Sequence, residues 1–177
     1  SLSHPNRVEV RYTYNAHGGI ETIVLIPAGQ AAQTIISDVS YNAAGQITRI
    51  AYGNGVVTDY SYNPQTLNLG RLRSMGPGGA LQDFTYQFDA VGNVQSIADA
   101  VNTGTQSFTY DSLNRLVAAT GARYGSMAYA YNQIGNMTSK EGVTLSYGPS
   151  NSRPHAVVST SSGLTVSYDA NGNVKSK

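Results

Sequence analysis

The sequence predicts an all-β protein: tandem β-hairpins that form one continuous, curved or spiralling antiparallel sheet. Three observations support this fold class. A seven-residue pattern recurs along the chain at intervals of about 21 to 27 residues, roughly the length of two strands with their turns. Aromatic and small polar residues alternate ahead of each pattern, and the strand-favouring residue tyrosine occurs 13 times. No segment longer than a turn or two has the periodicity of an amphipathic helix.

The recurring pattern is Tyr or Phe, Asp or Asn, two variable residues, Gly or Asn, one variable residue and an aliphatic residue. Asx favours the first position of a type I turn, and Gly or Asn at the fourth position tolerates a positive φ. Each copy is therefore predicted to close a bulged hairpin turn. Six copies match without a gap, with aromatic, Asx and Gly/Asn residues at Tyr14, Asn15 and Gly18; Tyr41, Asn42 and Gly45; Phe88, Asp89 and Gly92; Tyr110, Asp111 and Asn114; Tyr131, Asn132 and Gly135; and Tyr168, Asp169 and Gly172.

Two further copies are irregular, which brings the predicted total to seven or eight repeats. Tyr62 and Asn63 are followed by Gly70 in the place of the turn glycine, which predicts a turn stretched by four residues. Tyr147 has lost the turn signature and is followed by the segment 153–157, Arg-Pro-His-Ala-Val.

The strands are predicted from what flanks each turn. Ahead of the turn, period-two alternation gives one aromatic face and one small, polar face. After the turn comes a shorter outgoing strand, predicted over 20–26, 47–52, 94–98 and 116–119. The Gly- and Pro-rich segments 53–55, 76–79 and 149–154 are interpreted as hairpin ends and not as linkers. The sequence thus predicts a single domain over residues 1–177.

Composition excludes several classes of function. Charged residues make up only 12% of the chain and the net charge is +1, so neither nucleic acid nor an anionic membrane is an expected partner. Cysteine is absent, which removes disulfides and thiolate chemistry. No apolar run approaches the ~20 residues of a membrane span. Because no signal-peptide core precedes Val10, we expect either a fragment of a longer protein or another route of export.

The repeat units resemble the RHS/YD-repeat family. The segments that carry the resemblance are 88–94 (Phe-Asp-Ala-Val-Gly-Asn-Val), 110–116 (Tyr-Asp-Ser-Leu-Asn-Arg-Leu) and 168–174 (Tyr-Asp-Ala-Asn-Gly-Asn-Val). The segment 153–157 is similar to one found near the C-terminal end of such arrays. The likeness extends from about residue 10 to residue 174.

The resemblance implies a structural role as part of a hollow β-shell or barrel. In bacterial polymorphic toxins and insecticidal toxin complexes, such a shell encloses a C-terminal toxic domain; in teneurins, a similar barrel is an adhesion scaffold. The implied partners are the remaining shell repeats and the enclosed domain, and the implied location is secreted or at the bacterial cell surface. Many bacterial shells also carry a self-cleavage site around Asp-Pro-x-Gly. This sequence contains no Asp-Pro, so no catalytic residue is transferred.

No catalytic, cofactor-binding or metal site is predicted from the residues. His4, His17 and His155 follow no metal-binding spacing and are interpreted as structural or solvated. The alternating Asx residues from Asp169 onward resemble the start of a calcium loop, but the sixth position is not Gly and no late Glu follows. The glycosylation sequon at Asn136 coincides with the repeat pattern and is interpreted as fortuitous.

Two expectations concern binding. As an alternative to the scaffold, exposed tyrosine rows on a polar sheet are suited to stacking on sugars or proteins, which describes a cell-surface adhesion module. Separately, a piece of a repeat array has unpaired edge strands, so we expect self-association through those edges.

Overall fold

The computed structural model describes residues 2–3, 8–149 and 153–176, so His4 lies outside the described residues. The described residues form strands and turns and contain no helix, which confirms the all-β prediction; accordingly, they include no helix long and apolar enough to cross a membrane. The strands are β1 (Leu2–Ser3), β2 (Glu9–Tyr14), β3 (Ile20–Ile26), β4 (Gln33–Tyr41), β5 (Ile47–Tyr52), β6 (Val57–Tyr62), β7 (Leu69–Gly76), β8 (Gly79–Phe88), β9 (Val94–Asp99), β10 (Gly104–Tyr110), β11 (Leu116–Gly121), β12 (Gly125–Tyr131), β13 (Met137–Lys140), β14 (Val143–Tyr147), β15 (Val157–Thr160), β16 (Ser167–Tyr168) and β17 (Val174–Ser176).

The chain divides into two compact units, residues 1–105 and 106–177. In the first unit, each strand from β1 to β9 pairs antiparallel with the next strand in sequence. In the second unit, β10 to β15 follow the same rule, and β16 pairs with β17. This is the neighbour-to-neighbour order that tandem hairpins predict. The single domain over residues 1–177 stays a prediction.

A β-bulge precedes the turn in all eight repeats. In the first hairpin the register between β2 and β3 shifts between Thr13 and Tyr14, so that Tyr14 pairs with Ile20. The shift leaves Glu21 of the outgoing strand without a cross-strand partner, because Thr13 pairs with Thr22 while Tyr14 pairs with Ile20. The same shift falls immediately before the other seven aromatic residues of the repeats, which are Tyr41, Tyr62, Phe88, Tyr110, Tyr131, Tyr147 and Tyr168.

The alignment of Gly70 with the turn glycines is wrong. The residue with positive φ in this turn is Leu67, at 60°, and Gly70 lies inside β7. Tyr62 pairs with Leu69, one position later than in the regular repeats, so the turn has one extra residue instead of four. The turn closes through Leu67 N to the carbonyl of Asn63 at 2.8 Å. The sequence pattern placed the end of this turn at Gly70 because glycine is the usual residue at positive φ, whereas here Leu67 adopts the left-handed conformation.

The sheet buries very little. Among the described residues, the only hydrophobic side chains classed as buried are Val39 and Ala119, and none is fully enclosed. The accessible surface is 11484 Å², whereas a compact globular protein of this mass exposes about 8,300 Å². Most apolar residues are half-buried against their neighbours within the sheet. The chain is therefore held together by contacts between adjacent strands, with no second layer packed on it in the described residues.

The two faces of the sheet differ in chemistry in the first unit. One face is apolar and aromatic, with Tyr60 opposite Leu72 and Leu72 opposite Phe84. The other face carries a cross-strand row of alternating charge. Asp83 in this row accepts two hydrogen bonds from the Arg71 guanidinium, at 2.7 and 2.6 Å, and these bonds hold the pKa of Asp83 below its usual value. The row consists of Arg49 on β5, Asp59 on β6, Arg73 on β7 and Asp83 on β8.

Candidate functional site

The hairpin turn is the most regular site in the molecule. In the first repeat, Gly18 N donates to the carbonyl of Asn15 at 3.0 Å, and Asn15 N donates to the carbonyl of Gly19 at 2.8 Å. The side-chain Oδ1 of Asn15 accepts from His17 N at 3.0 Å and from Gly19 N at 2.9 Å. One Asx residue therefore provides hydrogen-bond partners for the backbone N–H groups of the turn, through both its carbonyl oxygen and its side-chain oxygen.

The same geometry recurs at every regular repeat. The side-chain oxygen of the Asx residue accepts from the backbone nitrogens two and four residues later, as at Asn42, where the distances are 3.0 and 2.9 Å. The fourth residue always has positive φ, from 59° at Asn114 to 95° at Gly92. The Asx residues that form this pair of bonds, besides Asn15 and Asn42, are Asp89, Asp111, Asn132 and Asp169.

Hydrogen bonding sets the charge state of the three turn aspartates. The pKa of Asp89 is lowered chiefly by the side-chain hydrogen bond from Asn93, with backbone N–H groups contributing as well. The pKa of Asp111 is lowered by the Arg115 side chain, and that of Asp169 by the Asn173 side chain. All three pKa values shift in the same direction because the same turn geometry surrounds each carboxylate.

A ladder of tyrosine hydroxyls joins consecutive repeats. The Tyr41 hydroxyl donates to the backbone carbonyl of Ile20, the aliphatic residue that ends the preceding turn pattern, at 2.7 Å. We call this set of bonds the tyrosine ladder. Phe88 has no hydroxyl and makes no such bond. Further rungs join Tyr62 to Ile47 at 2.8 Å, Tyr131 to Leu116 at 3.0 Å, Tyr147 to Met137 at 2.7 Å and Tyr168 to Val157 at 2.8 Å.

A second set of contacts links consecutive turns within a unit. The residue before the aliphatic position reaches the backbone of the next turn: Arg115 donates to the carbonyl of Asn132 at 3.1 Å, and its guanidinium lies 4.7 Å from the centre of the Tyr131 ring. Gln46 makes the equivalent bond to the carbonyl of Leu67 at 2.9 Å. These contacts hold the turns side by side along one rim of each unit's strands.

The segment 153–157 closes the irregular turn after Tyr147. Gly148 N donates to the carbonyl of Ala156 at 2.8 Å, which restores a hairpin end across the longer loop. Arg153 then contacts the next turn, donating to the carbonyl of Asp169 at 2.5 Å. This segment therefore replaces the missing Asx turn while keeping the link between neighbouring turns.

Asn136 is buried where this segment meets the preceding turn. Its side chain is only 7% exposed; Nδ2 donates to the carbonyl of Pro154 at 2.5 Å, and Oδ1 lies 2.6 Å from His155 Nδ1. A buried, hydrogen-bonded amide is not accessible to a glycosyltransferase in the folded chain, so the geometry agrees with the interpretation of this sequon as fortuitous. His155 is thereby placed in a structural contact.

The described residues bring no catalytic constellation together. They contain no group of three His, Cys, Asp or Glu side chains close enough to hold a metal ion. The Asp169 oxygens are engaged by Asn171 N, Asn173 N and the Asn173 side chain, all of them donors, where a calcium loop would present acceptors. An open groove of about 480 Å³ lies in the first unit between the turns that begin at Asn15 and Asn42.

Sequence reasoning found the turns but missed the tyrosine ladder. The sequence pattern places the aromatic residues on one face of the strands but assigns no role to their hydroxyls. The available signal was the choice of Tyr over Phe at seven of the eight aromatic positions. Packing alone accepts either residue, so the preference for tyrosine points to a hydrogen bond made by its hydroxyl.

Comparisons with known proteins agree with the repeat pattern. The family model described as "RHS Repeat" matches residues 41–75 and 88–126. The chain is 37% identical over 127 residues to "Toxin subunit YenC2" of Yersinia entomophaga, and 33% identical over 140 residues to "Toxin subunit YenC1" of the same organism. These alignments cover 63% and 70% of this chain but only 13% and 14% of the relatives. The chain thus spans a small part of the length of these toxin subunits.

Solved structures show the same fold. A crystal structure of TcdB2-TccC3-Cdc42 superposes with a TM-score of 0.75 at 25% identity, covering 96% of this chain and 11% of that one. A structure of the Photorhabdus luminescens Tc holotoxin pore gives a TM-score of 0.76 at 25% identity, covering 97% and 11%. Together with the repeated Asx turns and the tyrosine ladder, these matches show that the chain belongs to the RHS/YD-repeat family.

Proposed function

We propose that this chain is a wall segment of an RHS-repeat shell that encloses a C-terminal toxin or effector domain of a larger, secreted protein. The observation that carries the proposal is the joint between repeats. In each unit the ladder and the turn contacts bind one hairpin to the next through bonds that involve the backbone. Because these bonds use backbone atoms, the same contact can be repeated from one hairpin to the next along a long sheet. A long, continuous sheet of this kind is what the wall of a shell requires.

The relatives supply the context for this proposal. They are toxin subunits, and the chain covers about one seventh of their length. The proposed partners are accordingly the remaining repeats of the parent protein and the domain that those repeats enclose. Several of the solved structures in which the fold recurs combine TccC3 with TcdB2, and a second toxin-complex subunit is proposed as a further partner of the parent protein.

Protection from proteolysis tests the proposal. The intact parent protein is digested with a broad-specificity protease, and the fragments are followed by mass spectrometry with and without denaturant. We expect a C-terminal fragment to survive until denaturant opens the shell. A parent protein carrying Tyr62→Phe and Tyr131→Phe, which remove two rungs of the ladder, should release that fragment at a lower denaturant concentration. Immediate digestion of everything beyond the repeats would refute enclosure.

One observation favours the adhesion module as the second candidate. Tyr12 and Tyr14 stack with their ring centres 6.5 Å apart, and Tyr14 is 58% exposed. Tyr12 is half-buried, and the exposed Tyr14 ring beside it is suited to stacking on a sugar ring or a protein side chain. Saturable binding on a glycan panel, abolished by Tyr12→Ala with Tyr14→Ala and retained in Tyr60→Ala with Tyr62→Ala, would support this function. Equal binding by both double variants, or none by the wild type, would exclude this site.

A further inference from the structure

A side-chain carboxamide bridges the second and third turns, and the first repeat lacks its counterpart. In the second repeat, Gln46 Oε1 accepts a hydrogen bond from the side-chain Nδ2 of Asn42 at 3.0 Å. Gln46 Nε2 donates to the carbonyl of Leu67 in the next turn at 2.9 Å. One amide group thus joins the Asx side chain of its own turn to the backbone of the neighbouring turn. The first repeat has Gly19 at the equivalent position, which supplies no side chain for such a bridge.

The first turn therefore retains a donor without a partner. Oδ1 of Asn15 accepts hydrogen bonds from His17 N and Gly19 N, at 3.0 and 2.9 Å, which fixes the orientation of the amide group. Within residues 2–3, 8–149 and 153–176, Nδ2 of Asn15 makes no hydrogen bond. It lies on the side of Gly19, because a Cβ built on Gly19 would be 3.0 Å from it. This half-buried N–H group needs an acceptor.

The groove of about 480 Å³ between the first two turns lies beside this donor. Asn15 and Gly19 line it from the first turn, and Tyr41 and Asn42 line it from the second. Val39, which is only 7% exposed, adds an apolar surface. The groove therefore combines an unpaired N–H group, an aromatic ring and the backbone of the next turn.

The second unit shows how such a ring and backbone receive a planar polar group. The Arg115 guanidinium lies 4.7 Å from the centre of the Tyr131 ring and donates to the carbonyl of Asn132 at 3.1 Å. The equivalent ring and carbonyl in the groove belong to Tyr41 and Asn42. A planar group that enters the groove can therefore lie against the ring and donate to the turn carbonyl at the same time.

We propose that this groove binds the side-chain carboxamide of a glutamine from another polypeptide. The amide oxygen accepts from Asn15 Nδ2, the amide nitrogen donates to the Asn42 carbonyl, and the methylene groups lie against Tyr41 and Val39. Gln46 makes the same two kinds of hydrogen bond from within the chain. The inference goes beyond the shell proposal and does not depend on whether any cargo is enclosed.

The two polar ends of the groove should select glutamine over related side chains. An ionised glutamate accepts from Asn15 Nδ2 but has no hydrogen to donate to the Asn42 carbonyl. An arginine donates to that carbonyl but offers no acceptor to Asn15 Nδ2. A primary carboxamide has both an acceptor and a donor, so it satisfies both ends.

An NMR titration of the 177-residue chain tests this selectivity. Three blocked tripeptides carry glutamine, glutamate or arginine between two glycines, and each ends in an N-methylamide, so that only the central side chain differs. The glutamine peptide should shift the amide signals of Gly19 and Asn42 in a saturable manner. It should bind about three- to tenfold more tightly than either of the other peptides, the effect of one net hydrogen bond.

A single substitution should reverse the preference. Asn15→Asp replaces the donor by an acceptor and keeps the turn, since Asp89 and Asp111 occupy the same turn position with the same backbone bonds. This variant should bind the arginine peptide more tightly than the glutamine peptide, as Asp111 accepts from Arg115 at 2.7 Å. Asn132→Asp makes the same change in the second unit, away from the groove, and should retain the preference for glutamine.

Three results would overturn the proposal: no saturable shift with the glutamine peptide, equal binding of the three peptides, or an unchanged preference in Asn15→Asp. The shell proposal is tested on the parent protein by protection of its C-terminal fragment. Failure of peptide binding and failure of that protection are therefore separate results.

Discussion

At the scale of single residues, glycine is required in the turns because of its backbone conformation and not because a side chain would clash with neighbouring atoms. Gly92 has φ of 95°, and a Cβ built on it would meet no atom within 4 Å. The requirement for glycine therefore comes from the left-handed conformation itself, which other residues adopt at a cost. Asn114 takes the same role at φ of 59°, which shows that asparagine is an acceptable substitute.

Replacing Gly92 with valine should destabilise the chain by roughly 1–2 kcal/mol, the cost of placing a non-glycine residue at positive φ; β-branching makes valine a poor choice there. Gly92→Asn should cost much less. Urea unfolding measures both. Gly78→Val is the matched control, because Gly78 has ordinary φ and open space around its Cα. If Gly92→Val unfolded at the same urea concentration as the wild type, the assignment of this turn would be wrong.

The turn aspartates should make the free energy of unfolding depend on pH in the acidic range. The folded pKa of Asp89 lies below its ordinary value of 3.8, so its contribution to stability is complete above about pH 4 and is lost as pH falls through the folded pKa. Asp89→Asn keeps the acceptor oxygen, as Asn15 and Asn42 do, but does not titrate. We expect a shallower fall of the unfolding free energy between pH 4 and pH 2, measured by urea titration.

Asp38→Asn provides the control for this pH prediction. It makes the same change of charge at a carboxylate that accepts a single hydroxyl, from Ser40 at 3.2 Å, and no turn bond. The difference between the acid profiles of Asp89→Asn and Asp38→Asn then measures what the turn bonds contribute. Identical profiles for the two variants would mean that the turn bonds do not hold the carboxylate in its charged form.

At the scale of elements, the tyrosine ladder should contribute measurably to each junction. Tyr62→Phe removes the hydroxyl that binds the Ile47 carbonyl and should cost about 0.5–1.5 kcal/mol. Tyr86→Phe is the control, because the Tyr86 hydroxyl makes no hydrogen bond to described residues. Denaturation of both variants under the same conditions separates loss of a rung from loss of a hydroxyl. Equal effects would show that the rung adds nothing.

The missing rung suggests a stabilising change. Phe88 occupies a ladder position, and Leu69 stands where Ile20 and Ile47 stand in their repeats. Phe88→Tyr should place a hydroxyl near the Leu69 carbonyl and raise the melting temperature by a few degrees, in line with one added hydrogen bond. Phe84→Tyr, on the same strand away from the ladder position, is the control. A lower melting temperature for Phe88→Tyr would show that this junction has a different geometry.

At the scale of the whole molecule, the exposed surface governs how unfolding responds to denaturant. Because the folded chain already exposes 11484 Å², unfolding uncovers about one sixth less surface than it does for a globular protein of equal mass. The urea m-value should be smaller in the same proportion. The measurement is made at low protein concentration, so that association does not contribute. A full-sized m-value would indicate further burial that the sheet itself does not provide.

How much the sequence predicted follows from how local each feature is. The Asx turns, the alternating strands and the neighbour-to-neighbour order all depend on residues within one repeat, so pattern reasoning reached them. The position of Leu67 was missed because a leucine at positive φ has no sequence signature. The ladder was missed because its partners, such as Tyr41 and Ile20, lie 21 residues apart and one of them is a backbone atom.

The ladder also bears on how such arrays change over evolutionary time. Its acceptor is a main-chain carbonyl, which every amino acid supplies, so a repeat is compatible with a neighbour of almost any side-chain sequence. Duplication, deletion or recombination of whole hairpins therefore leaves a working junction without compensating mutations. Each rung requires only a tyrosine hydroxyl and the turn that orients it, so the other positions of a repeat can diverge.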